Sequence, residues 1–243
     1  MNFLELLNSG NIVGAHRGAR SLAPENTMRA LKKSVGRSDF IEIDVQLSCD
    51  GEAVIIHDET LERTTNLTKP QRVSALSLEE LSKLDYGSWF DGKSEPLLTL
   101  NNALKFIKEN NLFLNIEIKD MHEYFSDDQV VITVVQSIKS HKLESQVLIS
   151  SFRGEYLSMC KEVSSYIPTA LLVDNKHPDN LIEYLKELKV DAYHMNDELV
   201  DSESIAQLRK EGFYVNVYTV SNLLRQKELF KMGVNGVFSD ILK

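Results

Sequence analysis

Eight short apolar segments, each of a length typical of a β-strand, alternate with segments of helical pattern along most of this chain. We predict strands at Asn11–Ala15, Phe40–Leu47, Asn111–Lys119, Val147–Phe152, Pro168–Val173, Asp191–Met195, Gly212–Val220 and Val234–Asp240. Strict alternation predicts an α/β fold with a parallel sheet, and eight such units in 243 residues fit a closed (β/α)8 barrel. An open, doubly wound sheet is the alternative, but no GxGxxG or P-loop motif follows the first strand, which weakens its nucleotide-binding form.

The stretch FIEIDVQLSCDGEAVIIHD, residues 40–58, carries a concentration of reactive side chains. Its Asp50-Gly51 pair lies between two apolar runs and predicts a tight turn that makes a hairpin. Glu42 and Asp44 share one face of the first run, because the side chains of a strand alternate. The strand is apolar enough to be mostly buried, where an unpaired carboxylate is costly and a bound cation removes that cost. The second run ends in His57, whose imidazole titrates near neutral pH.

Residues Glu59 to Pro96 lack the regular pattern of the rest of the chain. A plain connection of this length is uncommon, so we predict a functional insertion after the second barrel strand. Ser77 and Glu80 have the spacing of a capping box and predict one short helix there. We expect the insertion to cap one side of the barrel mouth, with Trp89 and Phe90 either contacting the substrate or pinning the insertion to the barrel.

Polar and aromatic side chains suited to catalysis or binding gather at or just beyond the carboxyl ends of the predicted strands. Active sites of (β/α)8 barrels form at that end. Taken singly, each residue has a bland explanation: a histidine is often structural, and paired acids can lie on an exposed strand face. Their collection at one rim from several strands favours a single site. The residues are His16, Arg17, Glu42, Asp44, His57, Glu117, Lys119, Phe152, Tyr218 and Asp240.

Overall charge and the absence of targeting signals narrow the class of protein. The net charge is −9, from 36 acidic and 27 basic residues, and no Lys/Arg tract is present, which argues against nucleic acid as a partner. The first residues, MNFLELLNSGN, lack a basic region and an adequate apolar run, so we expect no signal peptide. No apolar stretch is long enough to span a bilayer, so we expect no stable membrane insertion. Cys49 and Cys160 make no disulfide framework, and we expect two reduced thiols in a cytoplasmic protein.

An ordered series of short motifs resembles that of the glycerophosphodiester phosphodiesterase family. In chain order the motifs are His16-Arg17-Gly18, Pro24-Glu25-Asn26-Thr27, Glu42-x-Asp44, Asp50-Gly51, His57-Asp58, Glu117-Ile118-Lys119, Ser151-Phe152 and Tyr218-Thr219-Val220. A lone His-Arg-Gly is weak, but the order and spacing match throughout. The late motif departs from the family, which usually has Trp in place of Tyr218 and Asn in place of Ser221. The short length and the expected absence of a signal peptide most resemble the cytosolic bacterial members.

The resemblance implies a single TIM-barrel phosphodiesterase domain over residues 1–243, with an insertion at about residues 59–96. It also implies a divalent metal and hydrolysis of glycerophosphodiesters, such as glycerophosphocholine or glycerophosphoethanolamine, to sn-glycerol 3-phosphate and an alcohol. Analogy with the family makes the glycerol 2-hydroxyl a candidate first nucleophile, through a cyclic phosphate. Phe152 and Tyr218 fall on family positions and are predicted to bind the substrate.

The acidic and basic residues suit this chemistry. A phosphodiester is anionic and gains negative charge on its oxygens during cleavage, so a cation held by Glu42, Asp44 and Glu117 would stabilise it. Three carboxylates without a cysteine ligand favour Mg²⁺ or Ca²⁺ over Zn²⁺. Arg17 and Lys119 can add charge-assisted hydrogen bonds to the same phosphate.

Two histidines suit general acid–base catalysis, because an imidazole titrates close to the working pH. We assign His16 as the base on the attacking hydroxyl, since it ends the first strand beside Arg17. We assign His57 as the acid for the leaving alcohol, since it closes the hairpin that begins at the acidic strand. In-line displacement places the incoming and outgoing oxygens on opposite sides of the phosphorus, so the base and the acid should flank it.

Two other functions remain open from the sequence. A sphingomyelinase-D-like phospholipase shares the two-histidine, acidic-metal constellation on the same scaffold, but such proteins lack this insertion and are typically secreted. A non-catalytic metal- or phosphodiester-binding barrel is the second alternative, but degenerate members usually lose a histidine or an acid, and this chain keeps all of them. The preferred head-group alcohol, the metal and the oligomeric state are left open.

Overall fold

Eight parallel strands close into a barrel in the computed structural model, which describes residues 1–242. Lys243, the last residue of the predicted domain, lies outside the described residues. The first barrel strand pairs with both the second and the last, so the sheet closes on itself, and a short extra strand pairs antiparallel with the second. The strands are β1 Ile12–Ala15, β2 Phe40–Leu47, β3 Ala53–Ile55, β4 Leu114–Ile118, β5 Val147–Ser151, β6 Thr169–Val173, β7 Ala192–Asn196, β8 Tyr214–Tyr218 and β9 Gly236–Ser239. The predicted (β/α)8 barrel is confirmed.

Helices connect the barrel strands and begin at side chains that the sequence offers as caps. Thr27, Thr99 and Ser126 each accept a hydrogen bond from the backbone three residues ahead. No helix within residues 1–242 is long and apolar enough to cross a membrane. The helices are α1 Phe3–Ser9, α2 Met28–Ser34, α3 Leu78–Leu81, α4 Ser88–Asp91, α5 Leu100–Glu109, α6 Asp127–His141, α7 Gly154–Val163, α8 Leu181–Leu188, α9 Ser202–Lys210 and α10 Leu223–Lys231, with 3-10 turns at Val73–Ala75 and Asp197–Leu199.

The first helix, α1, packs against the amino-terminal end of the barrel, although the sequence pattern does not predict it. Asn2 and Glu5 form a capping box that starts the helix. Phe3 and Leu7 are buried, and Phe3 packs edge-to-face on Phe40 at the start of β2, with 5.6 Å between the ring centroids. Because apolar side chains fill this end, the barrel opens where the carboxyl ends of the strands meet.

The hairpin after β2 forms as the Asp50-Gly51 signal predicts. Leu47 pairs with Ala53 across the turn. Gly51 has a φ of +83°, a left-handed conformation that glycine adopts without strain. All eight residues of β2 are buried, with Ile43 and Val45 in the main apolar cluster beneath the helices. Alternation therefore directs Glu42 to the barrel interior, where it lines a cavity together with residues of β4, β5 and β8.

Residues 59–96 lie between β3 and α5 and pack around a small apolar cluster that they share with β3 and the residues adjoining the segment. Its buried members are Val54, Ile56, Leu61, Val73, Leu81, Tyr86 and Leu97. The predicted capping box is present: Ser77 and Glu80 start α3. Arg29 at the start of α2 holds α4 by ion pairs to Asp91 at 2.8 Å and Glu95 at 3.0 Å. These contacts attach the segment to the barrel beside the open end, because α2 follows the carboxyl end of β1.

Candidate active site

A small cavity opens into the barrel at the carboxyl ends of the strands. Four residues predicted from the sequence line it: His16, Glu42, Glu117 and Tyr218. The described residues lining this cavity do not include Phe152, Trp89 or Phe90. The remaining lining residues are Asn115, Ser150, Leu172 and Phe238.

Three carboxylates from two neighbouring strands converge here. Glu42, Asp44 and Glu117 each place one oxygen within 4.8 Å of the other two. Glu42 and Asp44 are only 3% and 1% exposed, and Asp44 lies opposite Glu117 in the parallel pairing of β2 with β4. Glu42 Oε1 is buried and has no hydrogen-bond partner. A buried oxygen without a partner, in an all-oxygen cluster, fits a hard divalent cation.

Electrostatics within the cluster differ from one carboxylate to the next. Burial raises the pKa of Glu42 well above its usual range, and the charges of Asp44 and Glu117 raise it further. Burial also raises the pKa of Glu117, together with the Asp44 charge. For Asp44, burial opposes ionisation, but the Lys119 and Arg17 charges outweigh it and hold the pKa below its usual range. The three neighbouring carboxylates repel one another, and a bound cation would relieve that repulsion.

The chain turn after β1 fixes Arg17 beside the cluster. Arg17 and Gly18 have φ values of +55° and +73°, so the chain reverses sharply and the Arg17 amide donates to Glu42 Oε2 at 2.6 Å. A Cβ on Gly18 would lie 2.8 Å from the Ala30 side chain, so glycine is required for this close approach. The Arg17 Nε lies 3.6 Å from Asp44 Oδ2.

A second cation and two aromatic rings border the cluster on another side. Lys119 Nζ donates to Glu117 Oε1 at 2.6 Å and lies 3.6 Å from Asp44 Oδ1. It also lies 6.0 Å from the ring centroid of Phe152, which packs edge-to-face on Tyr218 at 6.2 Å. The Tyr218 hydroxyl donates to the backbone carbonyl of Val173 at 2.7 Å, and Tyr218 lines the cavity.

Each of the two candidate histidines has its Nδ1 atom on a carboxylate. His16 Nδ1 lies 2.9 Å from Asp240 Oδ1, and His57 Nδ1 lies 2.6 Å from Asp58 Oδ1. Because an ionised carboxylate only accepts, Nδ1 carries the proton and Nε2 is the nitrogen left to exchange one. Burial lowers the pKa of both imidazoles below the usual value; Asp240 opposes this for His16, and Asp44 opposes it for His57.

A network of ion pairs around the buried Glu25 contacts these residues, and the sequence analysis did not identify it. Glu25 binds Arg17 at 2.8 Å and Arg63 at 2.7 Å, while Arg63 also binds Asp58. Burial raises the pKa of Glu25 and of Asp58, but hydrogen bonds from the arginines, and from His57 to Asp58, lower both to about 2. Both carboxyl groups are therefore ionised at neutral pH.

Three further polar residues complete the site below and beside the carboxylates. The Asn26 side chain donates to Asp44 Oδ2 at 2.8 Å, and this hydrogen bond gives Asn26 a role in holding the Asp44 carboxylate. Asn115 donates to Ser150 Oγ at 2.9 Å, and its own Oδ1 is buried without a partner. Asn115 lies on the same face of β4 as Glu117, so strand alternation could have identified it.

Comparison with known proteins agrees with this geometry. A model of the glycerophosphoryl diester phosphodiesterase family matches residues 16–242. A glycerophosphodiester phosphodiesterase of Caldanaerobacter subterraneus subsp. tengcongensis is 32% identical over 94% of this chain and 93% of its own length. One from Bacillus subtilis is 32% identical over 93% of this chain and 82% of its own.

Solved structures give the same result. The phosphodiesterase of Oleispira antarctica, in complex with the product sn-glycerol-3-phosphate, superposes with a TM-score of 0.89 and 29% identity, covering 97% of this chain and 95% of its own. The chain is thus similar to these proteins in sequence and fold over nearly its full length, and the family model matches it as well. The chain therefore belongs to the glycerophosphoryl diester phosphodiesterase family and is an enzyme of that class.

Proposed function

We propose that this enzyme hydrolyses glycerophosphodiesters, such as glycerophosphocholine or glycerophosphoethanolamine, to sn-glycerol 3-phosphate and an alcohol. The observation that supports the proposal best is a cluster of three carboxylates with two carboxylate-bound histidines close enough to feel the charge of Asp44. His16 follows β1 and His57 follows β3, and in both the Nδ1 atom is bound to a carboxylate, which leaves Nε2 for proton transfer. The proposed substrate is a small glycerophosphodiester.

The phosphate is held by opposite charges. Arg17 and Lys119 flank Asp44 at 3.6 Å each, so an anionic phosphate placed at the carboxylates would meet a cation on two sides. Phe152 and Tyr218 offer an apolar border to the same space for the carbon atoms of glycerol or of the leaving alcohol.

Glu42, Asp44 and Glu117 would hold the divalent metal, and the set of oxygen ligands favours Mg²⁺ or Ca²⁺. When bound, such an ion neutralises negative charge that develops on the phosphate oxygens. The chain's own part is to hold the three carboxylates together, with Glu42 and Asp44 buried and Asp44 kept ionised beside Arg17 and Lys119.

His16 acts as the general base and His57 as the general acid. Asp240 keeps the His16 proton on Nδ1, so the Nε2 lone pair can accept the proton of the attacking glycerol 2-hydroxyl. That attack expels the alcohol and leaves a cyclic phosphate, which water then opens to sn-glycerol 3-phosphate. Asp58 stabilises the charged form of His57, whose Nε2 proton passes to the leaving oxygen. A bound phosphodiester adds negative charge beside His57 and raises its pKa, which favours the protonated form needed in an acid.

Release of sn-glycerol 3-phosphate from glycerophosphocholine, with and without EDTA, tests the proposal. We expect release that stops on chelation and returns with Mg²⁺ or Ca²⁺. Glycerophosphoethanolamine and sphingomyelin, assayed in parallel, separate this function from a sphingomyelinase-D-like activity, which would cleave the lipid. Binding of glycerophosphocholine without release would favour the non-catalytic alternative and would contradict the proposal.

A further inference from the structure

Arg63 bridges two carboxylates that belong to different loops of the site. Its Nη1 and Nη2 donate to Glu25 at 3.0 and 2.7 Å, and its Nη2 and Nε donate to Asp58, the former at 2.9 Å. Every nitrogen of the guanidinium is used. The side chain is 43% exposed and does not line the cavity, so Arg63 is placed to act through its partners rather than on the substrate.

Each bridged carboxylate holds one residue of the proposed machinery. Asp58 Oδ1 accepts from His57 Nδ1 at 2.6 Å. Glu25 Oε1 accepts from Arg17 Nη1 at 2.8 Å. Arg63 lies in the segment of residues 59–96, so a side chain of that segment connects the loop after β1 with the loop after β3.

We propose that Arg63 is a positioning residue that fixes the orientation of His57 by clamping Asp58 against Glu25. The proposal rests on the proposed role of His57 as general acid. Arg63 is less important for the position of Arg17. When Arg63 is removed, Glu25 still has ion pairs to Arg20, at 3.3 Å, and to Arg17. The Asp58 carboxylate, in contrast, keeps only His57 among the side-chain partners that the described residues give it.

The bridge depends on the shape of the guanidinium and not only on its charge. A planar fork can donate to two carboxylates along different edges, whereas an ammonium is a point charge that cannot hold both in fixed planes. The Arg63→Lys substitution therefore keeps the positive charge but no longer fixes the orientation of the Asp58 carboxylate. A displacement of the order of 1 Å in a catalytic group can lower the rate by as much as about 100-fold.

The test compares Arg63→Lys and Arg63→Gln with wild type on two substrates. On glycerophosphocholine we expect kcat to fall by roughly 10- to 100-fold with little change in KM. On a p-nitrophenyl phosphodiester of glycerol, whose leaving group needs no proton, the loss should be much smaller. Arg72→Lys is the matched control, because Arg72 lies in the same segment, binds Glu59 at 3.0 Å and is 54% exposed. This substitution should leave the activity on both substrates unchanged.

A second measurement does not depend on turnover. The nitrogen NMR shifts of the His57 imidazole should report a proton fixed on Nδ1 in the wild type and in Arg72→Lys, and an average of two tautomers in Arg63→Lys. Equal loss on both substrates, or an unchanged His57 spectrum in Arg63→Lys, would overturn the proposal. If wild type does not cleave glycerophosphocholine, the proposed function fails, while the His57 spectrum still decides the role of Arg63.

Discussion

Glu25 is expected to lose its contribution to stability in acid, and the size of the loss follows from its surroundings. The side chain is 3% exposed and lies against the guanidinium groups of Arg17, Arg20 and Arg63. Burial alone would raise its pKa, but the hydrogen bonds and charges of Arg63 and Arg17 outweigh burial and lower the pKa to about 2, from an ordinary 4.5. That difference corresponds to about 3 kcal/mol in the free energy of unfolding.

The sign of the pH dependence follows from proton linkage. Folded Glu25 binds its proton less tightly than the unfolded chain does, so ionised Glu25 stabilises the folded state. The full stabilisation is present above about pH 4.5 and is lost as the pH falls through about 2.

Glu25→Gln removes the charge and keeps the shape, so we expect its unfolding free energy to lie about 3 kcal/mol below wild type at pH 7. The gap should narrow as the pH falls below about 4.5. Urea unfolding followed by circular dichroism, at a series of pH values, measures this difference in unfolding free energy. Other groups titrate in both proteins, so the difference between the proteins reports on Glu25. Glu79→Gln, at an exposed ion pair with Lys83, is the control and should change stability by less than about 1 kcal/mol. A gap that does not vary with pH would refute the reasoning.

Two further predictions concern the three clustered carboxylates and residues 59–96. Glu42→Gln and Asp44→Asn should abolish release of sn-glycerol 3-phosphate and should remove the rise in Tm that Mg²⁺ or Ca²⁺ gives the wild type, because each deletes a buried ligand. Unchanged far-ultraviolet circular dichroism shows that the fold survives, and full wild-type activity after chelation would contradict the prediction. We also propose that residues 59–96 cap one side of the mouth, so replacing the partly exposed Trp89 and Phe90 with alanine should raise KM for glycerophosphodiesters. If KM and kcat stay unchanged for every head group, including after the segment is shortened, the cap has no role in substrate binding.

Local patterns in the sequence were sufficient for the barrel and for the acidic strand. Strands and helices alternate with clear apolar patterns, and a two-residue period alone puts Glu42 and Asp44 on one face. The Asp50-Gly51 turn follows from local backbone preference. The sequence pattern did not predict the first helix, because a segment of seven residues is too short for a clear helical pattern. Its apolar residues are buried by packing against the amino-terminal end of the barrel.

The contact of His16 with Asp240 and the bridge from Arg63 to Glu25 could not be predicted, because each joins distant parts of the chain. Asp240 reaches His16 across 224 residues, since barrel closure sets β9 beside β1. Arg63 and Glu25 are 38 residues apart, and nothing in the spacing of either indicates a shared ion pair. The resemblance to the family supplied the motif that contains Glu25 but assigned it no contact.

The most direct test of the account measures kcat for His16→Ala and His57→Ala on glycerophosphocholine and on a p-nitrophenyl phosphodiester of glycerol. General acid–base assistance supplies about 10²- to 10⁴-fold, so each variant should lose about that much on glycerophosphocholine. Metal binding should change little, because neither histidine belongs to the carboxylate cluster. The nitrophenyl substrate should largely rescue His57→Ala and not His16→Ala. Rescue of His16→Ala alone would reverse the two roles, and wild-type rates in both variants on glycerophosphocholine would contradict the two-histidine mechanism.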